Sequence, residues 1–184
     1  MTSLDRLYDD IFREIQQSGA KLPPVEKWQP ELSGDIDIRI ARNGKWFHEG
    51  DPINRKGLVK VFSSILKREG DDYFLVTPVE KWRIQVEDVP FSVCGVEVLH
   101  RDGVQILVFE TSTEEKVIAG PENPLRVLTD TLGEPSPYLL VRGGMEGLLT
   151  RSVFYQLAEL AVPGPEKEKA VQGVYSLGEF FPLE

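Results

Sequence analysis

The spacing of apolar positions changes period several times along the chain. Leu4, Leu7, Ile11 and Ile15 recur at helical intervals with Tyr8 and Phe12 beside them, and Ser18-Gly19 supplies a stop. This predicts an amphipathic N-terminal packing helix. Residues 22–30 hold three prolines, which lack a ladder donor and restrain their predecessors, so this stretch reads as an extended connector. From Asp35 the period falls to two. Ile36, Ile38 and Ile40 face one way, Asp37 and Arg39 the other, and Asn43-Gly44 then predicts a tight hairpin into Trp46-Phe47. Leu58, Phe62, Ile65 and Leu66 restore helical spacing, with Asn54 as the expected cap and Gly70 as the expected stop. Tyr73 to Val76 reads as a short buried strand. Lys81 to Glu87 alternates, with Trp82, Ile84 and Val86 on one face.

The same order then recurs. Val96 and Val98 lead into Arg101-Asp102-Gly103, a second hairpin signal followed by Ile106, Val108 and Phe109. Asn123-Pro124 reads as cap and first position of a second helix carrying Leu125, Leu128 and Leu132. Tyr138 to Val141 repeats the Tyr-x-Leu-Val strand. Arg42 and Arg101 lie 59 positions apart, Asn54 and Asn123 69, Tyr73 and Tyr138 65. Three landmarks in one order imply a duplicated hairpin–helix–strand-pair unit. The pentapeptide PVEKW also occurs twice, at 24–28 and 78–82, but its offset of 54 breaks the pattern and its first copy lies in the connector. That literal repeat is chance. A last helix follows Gly143-Gly144, with Val153, Phe154, Leu157, Leu160 and Ala161 on its apolar face. Pro163-Gly164-Pro165 ends it, Glu166 to Lys169 is a solvated charge run, and Val174 to Phe181 returns to a sheet. The expected fold is α+β: two small related domains, 1–90 and 91–184, the second mainly β.

Composition narrows the function classes. The net charge of -9 repels nucleic acid unless a basic stripe overrides it, and the longest basic clusters are Arg55-Lys56 and Lys67-Arg68. No apolar run approaches the roughly 20 residues that span a bilayer. The acidic start lacks a signal-peptide core, and a single cysteine permits no internal disulfide, so a cytoplasmic, soluble protein is expected. Phosphate-loop, dinucleotide-loop and nucleophile-elbow motifs are absent. His48, His100 and Cys94 are too scattered for a zinc site, and no cofactor is expected.

Candidate chemistry is therefore thin. Arg55 and Lys56 stand at a predicted helix start, where the dipole disfavours cations unless an anion joins them. Arg126 is placed similarly at the second predicted helix. Gly143-Gly144 with Met145-Glu146-Gly147 either cradles a ligand, flanked by Arg142 and Arg151, or simply turns a hairpin. Glu80 and Asp88 bracket the Trp82 face and either form ion pairs or serve a cleft.

Longer patterns carry a resemblance. Gly34-Asp35-Ile36-Asp37, Pro52-Ile53 with Arg55, Leu58-Val59 with Phe62, the run Tyr73 to Trp82, Val86 to Phe91, Asn123 to Arg126 and Val153-Phe154-Tyr155 resemble the bacterial DUF1285 family over about residues 23–184. Glu26-Lys27-Trp28 departs from the His-containing stretch common there. The resemblance implies two duplicated α+β domains, a C-terminal half superficially like pleckstrin-homology barrels, no established catalysis, and a nucleotide-like ligand between the domains with a role in signalling.

The sequence thus predicts a binding module in which Arg55, Lys81, Arg126 and Arg142 contact a small anion, Trp82 stacks on it and Glu80 accepts a hydrogen bond. A protein partner would read the signal; no nucleic acid and no membrane is expected. Strand parity sets Glu80 and Trp82 against Lys81, so the six do not all share one flat surface. The alternatives are a hydrolase using Glu80 or Asp88, and an interaction scaffold using Phe180-Phe181.

Overall fold

The computed structural model describes residues 9, 13, 17, 21–165 and 171–184. The predicted N-terminal helix and the 166–169 charge run lie outside the described residues. The described chain opens with a short 3-10 turn, Val25–Lys27, in the proline-rich connector. Three strands follow: β1 (Gly34–Ile40), β2 (Trp46–His48) and β3 (Asp51–Pro52). Helix α1 (Lys56–Ser64) leads to β4 (Leu66–Glu69), β5 (Asp72–Val76) and β6 (Lys81–Val86). These six form one sheet ordered β3-β2-β1-β6-β5-β4, in which β1 and β6 run parallel and every other pair is antiparallel.

The second half contains β7 (Phe91–Arg101), β8 (Val104–Thr111), β9 (Lys116–Ile118), β10 (Leu125–Thr129), β11 (Pro135–Arg142) and β12 (Met145–Leu149). Its sheet order is β10-β11-β12-β7-β8-β9, with β12 and β7 parallel. The two sheets therefore share one topology: two three-stranded meanders joined by a central parallel pair. The Asn43-Gly44 and Asp102-Gly103 hairpins, and the Tyr73 and Tyr138 strands, fall at matching places in it. Helix α2 (Arg151–Glu159) follows β12, with Thr150 capping it by accepting from the Val153 N–H. A small antiparallel sheet, β13 (Val162–Pro163), β14 (Gln172–Ser176) and β15 (Glu179–Pro182), closes the chain. Phe181 is buried there and the Phe180 ring packs on Tyr175 at 5.1 Å, so the apolar tail is docked.

Several sequence expectations are corrected. The second predicted helix is absent, because Leu125–Thr129 is an edge strand paired with β11. The Asn123 amide donates to the Leu140 and Val141 carbonyls rather than capping a helix. The β-branched Val127 and Thr129 suit that pleat, and Leu128 and Leu132, the intended apolar stripe, are exposed. Asn54 does not cap α1. Arg55 takes the cap position with extended backbone and no side-chain cap bond. Nor does Gly70 end that helix: it stops at Ser64, because Leu66 is buried opposite Leu75 in the sheet, and Gly70 with φ +61° turns β4 into β5.

One apolar cluster crosses both halves. Ile38, Ile40, Trp46, Leu66, Leu75 and Ile84 from the first sheet join Phe91, Val93, Leu107, Phe109, Leu139 and Leu149 from the second. Each sheet also gains a helix. Phe62 of α1 stacks with Trp46 at 6.2 Å, and Val153 and Leu157 of α2 are fully buried in the same cluster. Where the halves meet, Gly44 has φ +85° and a Cβ built there would lie 2.6 Å from the Ser92 Cβ. Glycine is required at that turn both for the positive φ and for the close approach.

Candidate functional site

The ends of the two sheets meet in a polar seam over this shared core. On β4, Arg68 stands directly across from Tyr73 on β5, its guanidinium 5.7 Å from the ring centroid. On β10, Arg126 stands directly across from Tyr138 on β11, at 4.6 Å. β4 and β5 correspond to β10 and β11 in the shared topology, so one cross-strand Arg–Tyr pair occurs at the same place in each half. The two pairs meet at the seam. Arg68 Nη1 donates to the Gly144 carbonyl of the other half at 2.8 Å. Burial pushes the Tyr73 phenol above its usual range; Arg68 opposes that, while Glu146 of the other half and Asp88 between the sheets add to it.

Asp88, in the link between the sheets, holds the centre. The Tyr138 hydroxyl donates to Asp88 Oδ2 at 2.8 Å, and Arg42 Nε lies 3.4 Å from the same oxygen. Burial raises the Tyr138 phenol, and its bond to the Asp88 carboxylate raises it further. Arg42 also donates to Ser136 Oγ at 3.0 Å. Arg126 forms a bidentate pair with Glu146 of β12, at 2.7 and 2.8 Å, which holds its pKa above the ordinary arginine value against the opposing effect of burial. Tyr138 is thus flanked by two guanidinium groups and backed by two carboxylates.

The structure disperses the six sequence candidates. Arg126 alone lies in this cluster. Arg142 lies four residues further along β11 from Tyr138, roughly 13 Å at the usual strand rise. There it donates to both Glu115 oxygens, at 2.7 and 3.3 Å, and to the Ser63 carbonyl at 2.7 Å, with its guanidinium over Phe91. It is a strut between the halves. Lys81 pairs with Glu69 at 2.9 Å and lies over Phe74, and Lys81 is the main cause holding the Glu69 carboxyl below its usual range. Trp82 packs across Gly34, whose built Cβ would sit 3.4 Å from the indole. Glu80 is exposed outside the strands, and Arg55 is exposed at the start of α1. Gly143-Gly144 turns the β11–β12 hairpin.

Arg42, Arg68, Tyr73 and Tyr138 were not singled out as site residues from sequence, and Glu146 was named only as part of the glycine-rich loop. The signal was present as the Tyr73–Tyr138 repeat. Its arginine partners were hidden, because Arg68 precedes Tyr73 by five residues and Arg126 precedes Tyr138 by twelve. The hairpins differ in length, so only strand pairing reveals the equivalence. Among the described residues no group of three or more His, Cys, Asp or Glu side chains is placed to hold a metal ion. No helix among them is long and apolar enough to cross a membrane. Cys94 is exposed and unbridged, its thiol pushed up first by burial and then by Glu110.

Paired six-stranded sheets of one topology, sealed by a polar seam, define a two-domain α+β protein. Family models for the DUF1285 N-terminal domain, a domain of unknown function, and the DUF1285 C-terminal domain match residues 23–89 and 90–183. The chain belongs to the DUF1285 family. The solved structure of a DUF1285 family protein from Silicibacter pomeroyi DSS-3 is similar, with 46% identity, a TM-score of 0.82, and coverage of 90% of this chain and 88% of that one. A DUF1285 family protein from Shewanella baltica OS155 is 31% identical over 66% of this chain and 90% of that one, with a TM-score of 0.52. No curated protein matches the chain significantly.

Proposed function

We propose that the chain is a non-enzymatic binding module of a cytoplasmic signalling system, and that its two halves hold a small anionic, nucleotide-like ligand at their seam. The observation that carries this reading is the Arg126–Tyr138 stack beside Arg42, at the junction of the halves. Stacked guanidinium groups suit planar anions, since they bind phosphate oxygens bidentately and present a flat cationic face. In this reading Arg126 contacts the ligand, Arg42 joins it, and Arg142 keeps the halves in register. Arg55, Lys81, Glu80 and Trp82 lie elsewhere and are not needed. The common topology supports duplication of a six-stranded unit with the domain boundary at residue 90, the mainly β second unit being superficially pleckstrin-homology-like. The hydrolase alternative gains nothing, because Asp88 is engaged by Tyr138 and Arg42 and Glu80 is exposed away from them. Thermal-shift screening against nucleotides tests the proposal. A nucleotide that stabilises the wild type should lose its shift in Arg126→Ala and keep it in Arg55→Ala; the reverse pattern would refute the seam.

A further inference from the structure

Arg126 already holds an anion. Glu146 meets two of its nitrogens at 2.7 and 2.8 Å, in the fork geometry that an external oxyanion would use. Glu146 reaches it from β12, across β11, with its side chain only 20% exposed, while Arg126 remains 46% exposed. A carboxylate held in this way acts at an effective concentration of roughly millimolar or more. We infer that Glu146 is a built-in competitor for the Arg126 seat, and that the ligand displacing it carries a phosphate group rather than a carboxylate. This deepens the seam reading and rests on it. Exchanging one carboxylate for another gains nothing at the guanidinium. A phosphate brings a charge of about −1.5 to −2 and three strong acceptor oxygens. The second cation it can use is nearby: Arg42 flanks the same tyrosine, 3.4 Å from Asp88. Asp88 and Glu146 confine the site to anions strong enough to bind in spite of both.

The test is an NMR titration of the arginine Nε–H signals of the full chain with inorganic phosphate and, separately, with acetate. The wild type should respond to phosphate in the millimolar range and not to acetate. Glu146→Gln, which keeps the shape and removes the charge, should bind phosphate about tenfold more tightly, equivalent to about 1.4 kcal/mol. Glu146→Asp, too short to span both nitrogens, should fall between, and it carries the comparison if the Gln variant misfolds. Phosphate affinity unchanged or weakened in both variants would overturn the competitor role, as would acetate binding as tightly as phosphate. If Arg126→Ala leaves phosphate binding intact, or if neither wild type nor Glu146→Gln responds, the seam reading itself fails.

Discussion

The two halves solve the same packing problem with different residues. At the start of each parallel ladder a glycine faces an aromatic residue, but the roles are exchanged. In the first half the glycine is on the first strand, Gly34, opposite Trp82 on the last; in the second it is on the last strand, Gly147, opposite Phe91 on the first. Either way a large ring or its neighbour fills the space a side chain would have taken. The covering helix moves as well. In the first half it lies between the meanders as α1, in the second it follows them as α2, and both feed the same apolar cluster. Strand order is set by backbone pairing and the twist of the sheet. The helix only has to cover an apolar face, so its place in the chain is free. The Arg–Tyr pair keeps its place in both halves, yet Arg126 is held bidentately by Glu146 across its own meander, whereas Arg68 meets Asp71 only at 3.8 Å.

The largest effect should come from the more crowded of the two ladder glycines. A Cβ at Gly147 would lie 2.8 Å from Val93 Cγ2 and 3.2 Å from Phe91 Cβ, whereas one at Gly34 would meet only Trp82, at 3.4 Å. Gly147→Val should cost about 3 kcal/mol by overpacking, read by urea denaturation. Gly34 has φ +147°, so Gly34→Ala tests backbone strain in place of crowding. Equal losses in the two would break the asymmetry between the halves.

The struts come next. Arg142 and Glu115 are 20% and 17% exposed, and removing the arginine strands Glu115 and the Ser63 carbonyl. Arg142→Ala should cost about 2 kcal/mol, whereas Arg126→Ala, at a more exposed pair, should cost about 0.5 kcal/mol. A larger loss at Arg126 than at Arg142 would assign them opposite roles. Tyr138→Phe should cost about 1 kcal/mol through its lost bond to Asp88, measured by the same denaturation. Tyr73→Phe should cost less.

The smallest effect is acid-dependent. The folded Glu69 carboxyl sits below its ordinary value of 4.5, chiefly through Lys81. A depressed carboxyl contributes stability above its unfolded pKa and loses it as pH falls through the folded one. The wild type should therefore lose this increment below about pH 4.5, and Lys81→Met should shrink it. An unchanged acid limb in that variant would remove Lys81 as the cause.

Much of the first half was legible because its signals are local. Alternation at Ile36, Ile38 and Ile40, the Asn43-Gly44 turn and the helical spacing of Leu58 and Phe62 all act within a few residues. The Leu125–Thr129 strand was misread because Asn-Pro followed by spaced leucines satisfies a helix signature equally well. Pairing with β11, which lies later in the chain, decided the matter. Of the candidate site, Arg126 was found for a different reason, as the start of a helix that does not exist. Its real setting depends on Tyr138, twelve residues away, and Glu146, twenty away.

The sequence by itself determined the tight turns, the alternating strands such as Gly34–Ile40 and Lys81–Val86, and that the chain can bury a core. These follow from side-chain period and from the backbone demands of glycine, proline and asparagine, which need no knowledge of distant partners. Only the tertiary structure decided which strands are central, where the second helix sits, and which cations are tied to acids. Those outcomes depend on groups far apart in the chain being brought within hydrogen-bond reach, and the energy of an ion pair depends on that distance and on the burial around it.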